Sequence, residues 1–410
     1  MDEGFELKDI SPYDLLLAES ESERINLESE SIDNEIQENT RRVDLYDELE
    51  DTVDREGDVT EHELALISQA TAALFGDIEG GLPALESEGV ISLEGFRDLA
   101  KSIGVASKEL LARLWRLILE FWDNMGTRVS GVSAGAASTR ERAKDIIGIQ
   151  PKNDSFDSGV TAARYLSYRG KVCKKFSDVH GALRDLEHNM DLFLSTWALD
   201  VVKTGSDVVD ILNKTVRHVD PDDNQAIDES LRNANDLTIQ LLESVHQSLR
   251  NEVHLPGGGS VFFNYQNPKE IQSQVNKARA LQRAGFTFET SSYSGEDDYK
   301  VDVFTVDQIR ELMDISQRIC ESIRRFRDRN KLGKLSKETL DIVRGAKIMS
   351  GNLQNDVSES RPGIGRSALF NYGNTYTSWC RQPTLPIVSV TITYLRIVQS
   401  LCNRSINAYL

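Results

Sequence analysis

The feature that most limits how this chain can fold is an abrupt change of charge near residue 94. Residues 1–94 contain 28 Asp and Glu against 5 Lys and Arg, a net charge of −23. The whole chain has 66 acidic and 47 basic residues, so residues 95–410 hold 38 and 42 and carry +4. Like charges at short spacing oppose compaction. The sequence therefore predicts a folded body after residue 94, preceded by an acidic segment that is either largely disordered or a solvated helix.

The composition of the whole chain sets broad limits on its class. A chain of 410 residues, 39% of them hydrophobic, can form two or three domains with a buried core. Its four cysteines are widely separated, which predicts buried free thiols in a reducing compartment. The N-terminus lacks the basic and apolar regions of a signal peptide, and no stretch approaches the roughly 20 uninterrupted apolar residues of a membrane span. We therefore expect synthesis in a cytoplasm and no integral membrane partner.

After the charge break, apolar residues recur at helical spacing over long stretches. The first predicted helix has its N-cap at Ser107 and ends near Met125; a small, polar stretch follows over Gly126–Ala137, and then a capping box at Ser138–Glu141. A membrane-surface helix would show the same periodicity over Ser107–Met125, but a core-facing helix is the preferred interpretation. Further helices are predicted over 171–202, 207–216, 226–249, 306–329, 336–349, 367–381 and 386–409. The pattern predicts a mainly α, bundle-like fold.

The period changes between residues 251 and 305. Val261–Tyr265, Phe286–Glu289 and Tyr299–Phe304 alternate or cluster as strands do, which predicts a small antiparallel β insertion with a helix over Pro268–Ala284 between its first two strands. Leu255–Gly259 lacks the Lys-Ser/Thr ending of a phosphate loop and is interpreted as a turn into a strand. The predicted organisation is an acidic segment, a helical region, an α+β insertion and a C-terminal helical region, over 1–86 (or 1–94), 87–250, 251–305 and 306–410.

A short pattern recurs in and just after the acidic segment: a small or apolar residue two places before a Glu, with a small residue after it. It occurs as Ala84-Leu85-Glu86 before Ser87, Ser92-Leu93-Glu94 before Gly95, and Leu17-Ala18-Glu19 before Ser20. These tripeptides resemble the sites of the maturation protease of large tailed phages, which cuts after Glu in such a context. On that resemblance, Glu86, Ser87, Glu94 and Gly95 flank the two candidate cleavage sites at the charge break, and Glu19 and Ser20 flank a candidate earlier one. Gly76, Gly80, Gly81 and Pro83 predict that the junction is an exposed, extended linker.

The residues after the junction extend this resemblance. Ser92–Leu99, followed by an amphipathic helix, is similar to the start of the mature internal head proteins of large tailed phages, and the Leu255–Gly259 turn also resembles that family. The resemblance implies a structural protein of the capsid interior, not an enzyme, that is packaged into the procapsid with an acidic propeptide and trimmed by the prohead protease. It implies a location in the virion head after synthesis in the host cytoplasm.

The same resemblance implies the partners. These are phage capsid and scaffold proteins, the prohead protease and packaged DNA, against which the protein would lie without sequence specificity or with which it would be ejected. Removal of residues 1–86 or 1–94 would change the net charge from −19 to +2 or +4, which would lessen repulsion from DNA.

A basic run is the best binding candidate in the sequence. The six bases taken as candidate nucleic-acid contacts are Arg324, Arg325, Arg327, Arg329, Lys331 and Lys334; Arg318 and Lys337 flank them, and Glu321 and Asp328 interrupt them. Such charges can contact phosphates without reading bases, although a merely solvated helix face would have the same composition. Phe326 is the only aromatic residue in the run, so base stacking is not indicated. No catalytic signature, zinc spacing or cofactor motif appears, and none is predicted.

A second interpretation stays open on the sequence alone. The chain could be a cytoplasmic interaction module whose acidic segment is a permanent tail that binds a basic partner. The two interpretations differ in whether residues 1–86 persist in the working protein.

Overall fold

The computed structural model describes residues 93–158, 165–218, 224–249, 253–290, 299–340, 365–382 and 384–410. Of the residues that can be interpreted, 71% are helical and the sheets are small and antiparallel, which confirms the predicted mainly α fold. The helices are α1 (Leu93–Arg142), α2 (Phe176–Met190), α3 (Leu199–His218), α4 (Asn224–Ser248), α5 (Gln274–Gln282), α6 (Val306–Arg329), α7 (332–340), α8 (Gly365–Arg381) and α9 (Thr384–Asn407). The strands are β1 (Ser155–Asp157), β2 (Ser167–Tyr168), β3 (Lys171–Val172), β4 (Val253–Leu255), β5 (Gly259–Asn264), β6 (Gly285–Thr290) and β7 (Lys300–Asp302).

Helix α1 is longer than the sequence pattern predicts. The expected N-cap at Ser107, the break over Gly126–Ala137 and the capping box at Ser138–Glu141 are wrong, because one helix of 50 residues contains all three. The small residues of the expected break allow neighbouring helices to approach α1 closely. Gly135 lies against the side-chain amide of Gln399 on α9, and that amide donates a hydrogen bond of 2.7 Å to the carbonyl oxygen of Val132.

Helix α6 packs between α1 and α2. It runs antiparallel to α1, because Trp122 meets Phe326 with ring centroids 4.7 Å apart while Arg140 Nε lies 3.2 Å from Asp314 Oδ1. It runs parallel to α2, and a set of contacts repeats at one constant offset along the two helices. These contacts are His180 with Glu311, Glu187 with Arg318, and Asp191 with Ser322. The apolar stripe of α6, from Ile309 to Phe326, is buried between these neighbours.

Helices α2 and α3 are joined without a break by a π-helical segment, Asp191–Ala198. The helix predicted over 171–202 begins at Phe176, because Lys171 and Val172 pair with β2 as a two-residue strand. Its predicted end at 202 is wrong, since α3 continues through the separately predicted helix over 207–216. A π-helical segment shifts the register of the side chains around the helix axis. Here Phe193 and Trp197 both reach Phe286 of β6, at ring-centroid distances of 5.7 and 4.8 Å.

The predicted sheet forms with one change of partner. Strands β4, β5 and β6 pair in that order, and helix α5 lies between β5 and β6 in the chain as expected. The turn from β4 into β5 uses Gly257 and Gly258 at φ of 82° and 79°, a region that favours glycine. The expected third strand is wrong in its pairing: β7 pairs with β1, Phe156 opposite Val301, and not with β6. The sequence pattern could not identify this partner because β1 has only three residues.

The division into regions at 86, 250 and 305 stays a prediction. Two sets of contacts link these regions in the structure. Strand β1 of the first helical region pairs with β7 of the α+β insertion, and α1 of the first region packs along α6 of the last.

The C-terminal helices form the centre of the core. Along α9, 16 of the 24 positions are buried, among them Thr391, Tyr394 and Ile397, and the other eight are half-buried. Within the described residues, one stretch, Thr375–Asn407, is long and apolar enough to cross a membrane, with a mean hydropathy of 1.5, but 72% of its most apolar window is buried in the protein. A helix that is apolar on all sides is expected at the centre of a large core. All four cysteines are free and buried, as predicted: Cys173, Cys320, Cys380 and Cys402.

Candidate functional site

The predicted basic run lies at one end of the helix packing, where α6 ends and α7 begins. We call this surface the basic end; it comprises Arg324, Arg325, Arg327, Arg329, Lys331, Lys334 and Lys337. Residues 321–340 hold these seven bases against Glu321, Asp328 and Glu338, a net charge of +4. The structure therefore places the six predicted contact residues close together, at the end of α6, in the turn that follows and at the start of α7.

Three of these bases are partly neutralised by local acids. Arg325 Nη2 lies 3.4 Å from Glu321 Oε1, and Lys334 Nζ lies 3.3 Å from Glu338 Oε1, both one helical turn apart. Arg327 donates to the carboxylate of its neighbour Asp328 at 2.9 Å. These pairs are largely exposed and are worth little stability, about 0.2–1 kcal/mol each. The spacing of four residues between Glu321 and Arg325 could have revealed this neutralisation from the sequence.

Four bases of the basic end have no carboxylate within ion-pair distance among the described residues: Arg324, Arg329, Lys331 and Lys337. Arg329, Lys331 and Lys337 are exposed, and Arg324 is partly exposed. Phe326 is buried against Trp122 and presents no ring for stacking. The surface can therefore attract phosphates or carboxylates but does not offer an aromatic platform for bases.

The turn between α6 and α7 has a defined geometry. Lys331 adopts a left-handed backbone at φ of 52°, and its carbonyl oxygen accepts hydrogen bonds from the backbone of Lys334 and Leu335 at 2.9 and 3.2 Å. Asn330 Oδ1 accepts from the backbone nitrogen of Leu332 at 3.0 Å and so caps the start of α7. Sequence reasoning missed Asn330, although an Asn just before a helix is a recognisable capping signal.

The first base of the run, Arg318, belongs to a different cluster. It lies near the middle of α6 and binds Glu187 of α2, with Nε 2.6 Å from Oε1. Arg184 reaches the other oxygen of the same carboxylate at 3.1 Å. Burial by itself raises the pKa of Glu187, but the hydrogen bonds from Arg318 and Arg184 outweigh it and hold the pKa below its ordinary value. This cluster ties α2 to α6 and is not part of the basic end.

The candidate cleavage residues are described only in part. Glu19, Ser20, Glu86 and Ser87 lie outside the described residues. Glu94 and Gly95 lie in the first turn of α1, so the expectation of an extended linker is wrong at this bond.

Possible metal ligands and thiol nucleophiles can be assessed over the part of the chain that the structure describes. Among the described residues, no three His, Cys, Asp or Glu side chains are grouped closely enough to bind a metal ion. Burial raises the pKa of the Cys173 and Cys320 thiols to about 12, so both thiols stay protonated at neutral pH. A protonated, buried thiol is a poor nucleophile.

Comparison with known proteins gives one match, and it extends over nearly the whole chain. A profile of the phiKZ-like phage internal head proteins matches residues 18–404. A comparison with curated proteins and one with solved structures each gave no match.

Proposed function

We propose that this chain, which belongs to the phiKZ-like phage internal head protein family, is a precursor whose acidic N-terminal segment is a propeptide. The family consists of internal head proteins of phages, so the chain is a structural protein of the phage head and its place is inside that head. It is not an enzyme family. The prohead protease would trim the chain in the procapsid after a Glu of the charge break.

The observation that carries this proposal is the charge difference across residue 94. The segment before it has a net charge of −23, and the chain after it has +4. A head filled with DNA is a strongly anionic environment, and a segment with this charge is repelled by it. Its loss during maturation would leave a mildly basic protein that can remain beside packaged DNA.

The start of α1 favours Glu86 over Glu94 as the residue before the cut. A protease needs an extended backbone, and the Glu94–Gly95 bond lies within the first helical turn. A cut after Glu86 leaves that turn intact and keeps Glu94. Glu19 would be an earlier, upstream site.

In the mature protein, the basic end would contact packaged DNA through its phosphates. The support is a cluster of exposed bases of which four lack a carboxylate partner among the described residues. Contacts of this type position a protein on DNA without reading its sequence. The other partners that we propose are the capsid and scaffold proteins of the phage and its prohead protease.

The choice of site can be tested in phage that carries Glu86→Gln or Glu94→Gln in this chain. We expect Glu86→Gln to leave a longer protein in the virion and Glu94→Gln to leave the mature N-terminus at Ser87. Wild-type N-termini in both variants would show that neither Glu directs the cut. If the acidic segment is instead the permanent tail of an interaction module, residues 1–86 should remain on the chain in the wild type and in both variants.

A further inference from the structure

The basic end has an excess of charge that the described part of the chain does not balance. Its three local acids are engaged by Arg325, Arg327 and Lys334. Arg324, Arg329, Lys331 and Lys337 have no carboxylate within 4 Å among the described residues. The net charge of +4 over residues 321–340 equals that of all residues from 95 to 410. The described residues therefore provide no acidic partner for these four bases.

Two bases lie where the backbone itself favours an anion. Lys331 immediately precedes α7, and Lys334 is in the first turn of this helix. The N-terminal end of a helix carries a partial positive charge, so cations there are unfavourable, and a bound anion reverses this effect. Lys331 also adopts a left-handed backbone, which an L-residue other than glycine rarely adopts. Because Glu338 already pairs with Lys334, Lys331 is the uncompensated base at this helix start, and contact with an anionic partner would offset its unfavourable charge.

The acidic segment joins the chain at this same end of the helix packing. Helices α1 and α6 are antiparallel, so the N-terminus of α1 extends past the C-terminus of α6. At about 1.5 Å per residue, Leu93 lies about 44 Å along the helix axis from Trp122, which packs on Phe326. About 14 extended residues cover this distance. The acidic segment has 86 residues up to the candidate cut, which is more than enough to return to the basic end.

We propose that residues 1–86 of the same chain lie on the basic end before trimming and cover it. The segment carries 26 acidic and 5 basic residues, so its charge complements that of the surface. Carboxylates would then occupy the positions that DNA phosphates take later. The contact between the acidic segment and the basic end is argued from charge and geometry alone. The idea that this contact is a switch rests on the proposed trimming, since the cut would uncover the DNA-binding surface only after the protein has entered the head.

The test is zero-length carbodiimide crosslinking of the full chain, with peptide mapping by mass spectrometry. This reagent joins a lysine to a carboxylate only when the two are in contact. We expect crosslinks from Lys331, Lys334 or Lys337 to Asp or Glu within residues 1–86. A mixture of ¹⁴N- and ¹⁵N-labelled chains identifies crosslinks within one chain. They should disappear in 1 M salt, where the screening length falls to about 3 Å.

Lys171 and Lys175 provide the matched control. Lys171 lies in β3 and Lys175 directly precedes α2, and both side chains are exposed. Because α2 and α6 are parallel, these lysines lie near the start of α6, about 36 Å from its C-terminal end. Equal crosslinking of the acidic segment to Lys171 and Lys175 would contradict a specific site. The proposal would also be contradicted if the basic end were crosslinked only to Glu321, Asp328 and Glu338, or if all crosslinks to the acidic segment joined two different chains.

A second measurement uses a specific protease site inserted after Glu86 in the full chain. Binding to a 30-base-pair duplex at 50 mM salt is compared before the cut and after the cut and removal of the segment. We expect affinity to rise about tenfold or more, since several phosphate contacts become available. Unchanged affinity would overturn the proposal. Virions that retain residues 1–86 would refute the trimming but not the contact, whereas missing crosslinks would refute the contact alone.

Discussion

Gly205 of α3 faces the ring of Tyr376 of α8 so closely that a Cβ atom on Gly205 would lie 2.8 Å from Cδ1 of that ring. Tyr376 is fully buried, and its hydroxyl group is 3.0 Å from that of Thr238 on α4. The ring also packs edge-on against Trp379, with centroids 5.2 Å apart. Three helices are therefore fixed around one tyrosine, and the glycine is what allows α3 to approach it.

Gly205→Ala should destabilise the fold, because the buried ring has no free space to move into. Overpacking of this kind costs about 1–3 kcal/mol in the free energy of unfolding, measured by urea denaturation. The matched control is Gly181→Ala in α2, where nothing lies within 4 Å of the added methyl group. There the better helix propensity of Ala should stabilise the protein by about 0.5–1 kcal/mol. Equal effects of the two substitutions would contradict the packing described here.

The Glu187–Arg318 ion pair should stabilise the protein at neutral pH and not in acid. The folded state holds the pKa of Glu187 below its ordinary value, so the unfolded state binds this proton more tightly. The contribution is therefore present above the ordinary pKa of about 4.3 and is lost as the pH falls through the lowered value. A double-mutant cycle with Glu187→Gln and Arg318→Met should give a coupling of about 0.5–1 kcal/mol at pH 7. A coupling that does not fall as the Glu187 carboxylate is protonated in acid would refute this assignment.

Among the described residues after residue 94, three Glu–Ser bonds follow the same sequence pattern as the candidate cleavage sites, yet they should resist a Glu-specific protease. They are Glu229–Ser230 and Glu243–Ser244 in α4 and Glu321–Ser322 in α6. Their helices pack through buried residues, such as Leu242 and Ile319, and must open before a protease can bind them. Limited proteolysis with a glutamyl endopeptidase should cut residues 1–86 first and these bonds only after heat unfolding. Early cuts at all three would contradict the packing of α4 and α6.

Substitutions of Lys331 should separate stability from DNA binding. Lys331→Gly relieves the left-handed backbone and should raise the free energy of unfolding by about 0.5–1 kcal/mol, after the larger unfolded-state entropy of glycine offsets part of the gain. It should also lower the salt dependence of duplex binding by about one phosphate contact in the chain without residues 1–86. Lys331→Asn is the control, because Asn tolerates the same backbone and also lacks the charge. If neither variant changes the salt dependence, Lys331 does not contact DNA.

The sequence predicted the helices and missed the contacts that depend on distant partners. Helix α6 could be predicted to the residue because its apolar stripe and its Thr305 cap are both local signals. The continuous α1 could not, since Gly126 and Gly135 look like a break until Arg327 and Gln399 are found beside them. The pairing of β7 with β1 failed for the same reason. At the basic end, the sequence shows all seven bases. Which four of them lack a carboxylate partner among the described residues could be identified only from the ion pairs in the structure.

The measurement that tests the central claim most directly is intact mass with N-terminal sequencing of this protein from infected-cell lysate before maturation and from purified virions. We predict the full chain in the lysate and a virion form that begins at Ser87, with Gly95 as the start if the helix turn opens for the protease. Full-length protein in both samples, or no protein in virions, would contradict trimming and would leave a chain with a permanent acidic tail.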